Sequence, residues 1–388
     1  MNFFFFLFFY IFFFSSLDAK KYSNYENYPK TRQSIKFEEI AKGQFDYPWG
    51  MTFIDNENLL ITEKNGRLLE VNINSGKVTE ISHNIPSIKY DGESIAYQQG
   101  GLLDVYAHSD GYIYFTYSYD FKEKMVDGKP SKASSTAIAR GKLNNKRIED
   151  FKNLLIAEPE LHANKHWGSR IVIKDEKLYV SFGERDGGMI AQDPQKHPGS
   201  IVRINKDGSI PKDNPAYKGY EEWLPEIYQI GMRNPQGMTI SPDNDKIYFS
   251  QHGPMGGDNI GVVKFAGNFG WKDIAWGGSE YSGRKIGSTP FKDKYDKPVI
   301  TWVPSMAIGN IAFYNGDVFP EWKGDLIVSA TKAQILARLD FENNKIVHEE
   351  FIFRNVLGRI RDFEIDNHGN IFIITDEENS SLWKMTKK

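Results

Sequence analysis

The chain has no cysteine among its 388 residues. That absence excludes disulfides, thiolate zinc sites, iron–sulfur clusters, thioether-linked haem and any cysteine nucleophile. It also excludes a lipoprotein anchor, which needs a cysteine to acylate. An excess of one charge is lacking too: 48 Lys and Arg stand against 51 Asp and Glu, a net charge of -3. This balance gives no electrostatic reason to expect nucleic acid or an anionic membrane as a partner. Long helical periodicity is missing, which argues against a TIM barrel or a Rossmann domain.

Glycine is frequent at 34 residues and aromatics make up 14% of the chain, a composition that leans towards all-β folds. One unbroken apolar run, Phe3 to Phe14, is too short to span a bilayer comfortably. Ser15, Ser16 and Ala19 follow it, then Lys20 and Lys21. The pattern predicts a secretory signal peptide over residues 1–19, cleaved near Ala19, and a periplasmic or secreted protein with no other membrane segment. The run has no Lys or Arg before it, so an uncleaved N-terminal anchor is the alternative. Residues 20–33 are polar and are expected to form a flexible lead-in.

Residues 34–388 show no linker or composition break. They carry a weak repeat: a glycine opens a short apolar strand, a polar turn follows, then a strongly β-prone strand. The openings are Gly50-Met51-Thr52-Phe53, Gly101-Leu102-Leu103-Asp104, Gly168-Ser169-Arg170-Ile171, Gly237-Met238-Thr239-Ile240, Gly309-Asn310-Ile311-Ala312 and Gly358-Arg359-Ile360-Arg361. Units spaced by roughly 50 to 70 residues predict a six-bladed β-propeller of four-stranded blades. The last unit has room for only three strands. Ser34 to Ile40 is expected to supply its fourth, closing the ring and hiding its open edges.

Propeller function sits in loops at one mouth of the channel, so polar residues at strand ends are the candidates. His166 lies just before a strand, where a neutral imidazole would make a good base; a hydrogen-bonded structural histidine is the plainer reading. Arg233, Asn234 and Gln236 share one turn before another strand. They offer donors for an oxygen-rich ligand, or they simply satisfy the turn. The Gly-rich loop Ser250 to Asp258 could aim carbonyls at a hard cation such as calcium. It lacks the glycine order and following helix of a phosphate-binding loop. Lys332, Arg359 and Arg361 together suggest an anionic ligand with several carboxylates, against the alternative of a solvated, ion-paired edge.

From about Tyr47 to Met385 these motifs fall in the order of the soluble aldose and glucose dehydrogenases, the propeller quinoproteins. The chain resembles that family in Pro48-Trp49-Gly50-Met51, in Gln99-Gly100-Gly101-Leu102-Leu103-Asp104, and in His166 four residues before Arg170. Arg233-Asn234-Pro235-Gln236-Gly237, His252-Gly253-Pro254, Asn268-Phe269-Gly270-Trp271, Lys332 and Gly358-Arg359-Ile360-Arg361-Asp362 extend the match. The resemblance implies oxidation of an aldose sugar at C1, with pyrroloquinoline quinone (PQQ) and Ca2+ as cofactors and an external electron acceptor. It implies His166 as the general base, Gln99 and Arg233 as substrate residues, and Asn234, Ser305, Lys332, Arg359 and Arg361 as quinone residues. Carbonyls of Gly253 and Pro254 would bind the calcium ion.

The chain also departs from the family. Lys165 stands where an acidic residue often precedes the histidine, which removes a carboxylate expected to support its basicity. Asn259 and Phe269 replace a glutamate and tyrosine that serve a second calcium, so no second ion is expected. Two other functions remain open for the fold, a non-catalytic binding propeller and a calcium-dependent lactonase. The first would be free to lose the histidine and the cations, and the second needs a carboxylate-rich cation site. The segment Trp276 to Lys285 names no sugar.

Overall fold

The computed structural model describes Tyr25 and residues 28–88, 98–277, 279–287, 291–342 and 345–388. The predicted signal peptide lies outside these residues. Six antiparallel sheets form the blades of a β-propeller, each in the chain order of its own repeat. Blade 1, for example, runs Pro48–Phe53, Asn58–Glu63, Leu68–Asn72 and Val78–Glu80. The opening strands of the repeats are the inner strands: Pro48–Phe53, Leu102–Ala107, Gly168–Lys174, Pro235–Ile240, Ile308–Phe313 and Ile360–Ile365. Each touches the inner strand before and after it, and the sixth touches the first. Blade 3 gains a fifth, two-residue strand, Gly267–Asn268, paired in parallel with Ile227–Ile230.

The repeat glycine has a physical reason. A Cβ on Gly237 would meet the Gly309 carbonyl at 2.6 Å and the Ser250 hydroxyl at 2.5 Å, so only glycine lets two inner strands approach this closely.

Blade 6 is closed as predicted. Ile35–Phe45 pairs antiparallel with Ser380–Lys387, in register from Ile35↔Lys387 to Ile40↔Leu382. Its two buried residues, Ile40 and Phe45, lie on either side of a register shift and both enter the core shared by blades 1, 5 and 6. The lead-in expected to be flexible is instead tied down where it is described. Tyr25 is buried and donates its hydroxyl to the Pro304 carbonyl at 2.7 Å, and Tyr28 stacks on Phe351 with centroids 4.1 Å apart. Thr31 N–H bonds the Phe351 carbonyl, and Phe351 N–H bonds that of Pro29. Aromatic residues in a polar stretch supply the docking that its composition hides. No described helix is long and apolar enough to cross a membrane.

Between the blades, the channel is plugged. Arg170 sends Nη1 to Asp104 of blade 2 at 2.9 Å and to Asp362 of blade 6 at 3.2 Å, with its guanidinium 5.1 Å from the Trp49 ring. All three charged groups are buried. The plug divides the channel, and the candidate site lies on the side where inner strands begin and second strands end.

Candidate active site

Two positions per blade meet this mouth: the residues just before the inner strand and those just after the second strand. Gln99, His166, Asn234 and Arg359 come from the first position. Lys64, Glu184, His252, Lys332 and Asp376 come from the second. The antiparallel turn between the strands puts both ends on one rim.

His166 is held in a left-handed conformation with φ of 57°, rare for a residue with a side chain. Its N–H donates to Gln99 Oε1 at 2.9 Å. Gly183 leaves room for the His166 carbonyl, which a Cβ there would meet at 1.9 Å. The ring is fixed by Glu184, whose Oε1 lies 2.5 Å from Nδ1 and whose other oxygen accepts the Gly188 N–H. Burial and the positive charge of Arg233 lower the imidazole pKa below its ordinary value, while Glu184 pulls it upward. The ring is therefore neutral at neutral pH, with Nδ1–H tied to a carboxylate and Nε2 able to accept a proton. The carboxylate missing at position 165 is supplied from the next strand end by Glu184. Lys165 instead forms an exposed ion pair with Asp186 at 3.0 Å.

Beside this dyad lies a cavity of about 250 Å³ lined by Trp49, Gln99, Asn234, His252, Tyr281, Lys332, Arg359, Arg361 and their neighbours. Its charge is lopsided. Lys64, Lys332, Arg359 and Arg361 line it together with a single carboxylate, Asp376. Asp376 meets Lys64 at 2.5 Å, Arg361 at 2.5 Å and Arg359 at 3.5 Å. Burial raises the Asp376 pKa, but Arg361, Lys64 and Arg359 more than offset it and hold the carboxyl below its usual range. Burial also lowers the Lys64 ammonium, against the pull of Asp376. Arg361 is braced by Gln236 Oε1 at 2.8 Å. Asn234 accepts the Gly168 N–H at 3.1 Å through Oδ1, which turns its amide NH₂ away from that bond.

Arg233, Gly253 and Pro254 line a narrower adjoining space, separated from the cationic cavity by His252, which lines both. Arg233 Nη1 donates to the carbonyls of His252 and Gly253 at 3.1 and 3.0 Å, and its guanidinium sits 5.2 Å from the Trp271 ring. Ser305 does not line the cavity. Its hydroxyl donates to Asp258 Oδ1 at 2.7 Å, and Asp258 also accepts N–H groups from Gly253 at 2.8 Å and Ala307 at 2.6 Å. This buried carboxylate joins the Gly-rich loop to the entry of blade 5.

Sequence reasoning missed Lys64, Glu184, Asp258 and Asp376. Three of these four follow a second strand, the position that had also given Lys332 and the Gly253 loop, so the repeat itself carried that signal.

The chain matches the family described as Glucose / Sorbosone dehydrogenase over residues 45–384. It belongs to that family. A curated relative within reach of this dehydrogenase is the aldose sugar dehydrogenase YliI of Escherichia coli K12, 32% identical over 90% of this chain and 92% of that protein. The crystal structure of the soluble aldose sugar dehydrogenase of Escherichia coli in its apo-form superposes with a TM-score of 0.81 at 30% identity, covering 92% of this chain and all of the other. Quinoprotein glucose dehydrogenase B of Acinetobacter calcoaceticus is 30% identical over 58% of this chain and 49% of its own length. The family expected from the motifs is the family found, and it makes the chain a dehydrogenase rather than a lactonase or a binding propeller.

Proposed function

We propose that the protein oxidises the C1 hydroxyl of an aldose to the lactone, using PQQ and calcium and passing electrons to an external acceptor outside the cytoplasm. The observation that carries this reading is the gathering of Lys64, Lys332, Arg359 and Arg361 in one cavity with a single carboxylate, Asp376, next to a neutral histidine fixed by Glu184.

The residues fit the quinone. Its several carboxylates match a cavity with far more positive than negative groups. The buried Nε of Arg361 and Nε2 of His252 find no protein partner among the described residues, as expected of donors and acceptors that await a ligand. Lys332, Arg359 and Arg361 would hold the carboxylates, with Asn234 offering its amide and Asp376, itself paired with Lys64, fixing the arginines. Ser305 supports the reading only indirectly, by holding the cavity wall through Asp258. The calcium fit is thinner. The Gly253 carbonyl already faces Arg233, and two carbonyls fall short of the six to eight oxygens calcium takes, so the remaining ligands must come from the cofactor and water.

When bound, the calcium–quinone pair supplies a two-electron acceptor polarised by a Lewis acid. The protein supplies position and a proton acceptor. His166 takes the proton of the C1 hydroxyl on Nε2, Glu184 stabilises the imidazolium that forms, and Gln99 keeps the histidine backbone in its unusual conformation. Arg233, packed over Trp271, holds the Gly-rich loop and adds its charge to burial, the larger cause, in lowering the imidazole pKa. The chain's first residues support export by a signal peptide over 1–19, ahead of a propeller domain at 34–388.

The test is dye-linked aldose oxidation by the apo-protein with quinone, with calcium, with both and with neither. Activity only with both supports the reading. Activity independent of quinone overturns it, as does none under any condition.

A further inference from the structure

Among the described residues, one group of histidine and carboxylate side chains brings three ligand atoms within 4.8 Å of one another: His166, Glu184 and Asp186. The first two form the buried dyad. Asp186 belongs to the solvent side: its side chain is 52% exposed, and its carboxylate meets the Lys165 ammonium at 3.0 Å.

The turn after the second strand of blade 3 sets this arrangement. Arg185 and Asp186 are both left-handed, with φ of 52° and 59°. Aspartate tolerates that conformation, whereas arginine adopts it rarely. The turn is held on both sides. Arg185 N–H bonds the His166 carbonyl at 3.3 Å, and Gly187 N–H bonds the Glu184 carbonyl at 2.8 Å. The Arg185 guanidinium lies 3.3 Å from the centre of the Trp167 ring and donates to the Ser134 carbonyl of blade 2 at 3.2 Å. Arg185 thus leads away into blade 2, leaving Glu184 and Asp186 on the imidazole side.

One imidazole nitrogen and two carboxylates are a donor set for a borderline ion such as zinc. Calcium, which takes six to eight oxygens, is poorly served by it. Ligand atoms at about 2.1 Å from a zinc ion stand roughly 3 to 3.5 Å apart. The 2.5 Å contact between Nδ1 and Glu184 Oε1 would therefore open slightly, and the exposed Asp186 side chain would turn in.

We propose that His166, Glu184 and Asp186 form an inhibitory site for a divalent cation of the zinc class, separate from the calcium proposed at the Gly253 loop. The ion takes the place of the proton that Nδ1 shares with Glu184. The histidine is then tied to a dication and no longer accepts a proton. This block rests on the reading of His166 as the base; the binding site does not. Lys165 is the internal competitor, because its ammonium holds the carboxylate that the ion needs. The lysine at position 165 therefore weakens metal binding at the base.

The experiment uses Zn2+ itself as the probe. Isothermal titration calorimetry of the untagged apo-protein measures its affinity in wild type, Asp186→Asn and Lys165→Ala. Dye-linked aldose oxidation with quinone and calcium measures inhibition. Asp186→Asn should weaken zinc binding by at least about tenfold, the lower end for losing a group that merely supports a metal ligand. Lys165→Ala should tighten it by about two- to fivefold, the worth of an exposed ion pair. Without zinc, both variants should turn over within about twofold of wild type. Zinc should inhibit wild type in step with its occupancy, and excess quinone or calcium should not relieve the inhibition. A wild type that binds no zinc overturns the site, and so does an affinity equal in wild type and Asp186→Asn. Inhibition that calcium relieves also overturns it, since the zinc would then sit at the Gly253 loop. Zinc that binds with the expected variant pattern but leaves turnover intact overturns the block and His166 as the base, not the quinone. A wild type inactive without zinc overturns the dehydrogenase reading, and the calorimetry still decides the site.

Discussion

At the scale of single residues, the proposed function assigns the proton and the cofactor to different groups, and substitutions should separate them. His166→Gln removes the base but none of the groups around Asp376. Turnover should fall by about 10²- to 10⁴-fold, the range for a lost general base, while quinone affinity measured by fluorescence titration stays near wild type. Lys332→Ala should do the reverse: weaker quinone binding, with activity partly recovered at excess quinone. The histidine also fixes the pH profile. A base must be unprotonated, so kcat/KM falls as pH drops through the His166 pKa, which burial and Arg233 hold below 6.5. Glu184 pulls that pKa upward, so Glu184→Gln should move the acid limb to lower pH while reducing kcat, because the imidazolium loses its partner. A limb that moves to higher pH would contradict this assignment.

At the scale of elements, one carboxylate ties two blades together. Asp258 accepts from the Gly253 N–H, the Ser305 hydroxyl and the N–H groups of Ala307 and Ile308. Burial pushes its carboxyl up to about 6, against the pull of these donors. Asp258→Asn keeps the shape but halves the acceptor capacity, leaving buried N–H groups unpaired. Thermal or urea unfolding should show a loss of about 2–4 kcal/mol, and calcium should bind more weakly because the Gly253 loop is released. The blades themselves were legible in the sequence, since the glycine openings and β-branched runs follow from how inner strands pack. His166, Asn234, Lys332, Arg359 and Arg361 were legible because their motifs sit at strand ends. Glu184 was not, because a lone glutamate after a β-prone run carries no motif of its own, although the hairpin returns it beside His166, 18 residues earlier. Asp376 was hidden for the same reason, and Lys64 looked like an ordinary surface lysine after a β-prone run. The docking of the lead-in also escaped, because it depends on Tyr25 and Tyr28 meeting Pro304 and Phe351, more than 270 residues away.

At the scale of the whole molecule, the ring depends on its axis and its seam. Arg170→Met would leave Asp104 and Asp362 buried without their cation. Breaking such a pair costs about 3–5 kcal/mol, so the midpoint of denaturant unfolding should drop sharply. Asp104→Leu in the same background should recover part of that loss. Removing residues up to Phe45 would expose the edge of Ser380–Lys387 and strip Ile40 and Phe45 from the shared core. Light scattering on heating should then show aggregation well below the wild-type transition. The seam has a consequence for the order of synthesis. Blade 6 is made from the first described strand and the last three, so it cannot assemble until the last of these strands has been made. That blade also carries Arg359, Arg361 and Asp376. A nascent or truncated chain with five complete blades holds Lys64 and Lys332 but lacks the carboxylate and arginines that organise them. In the proposed reading, the groups that would hold the quinone carboxylates therefore come together only when the ring closes.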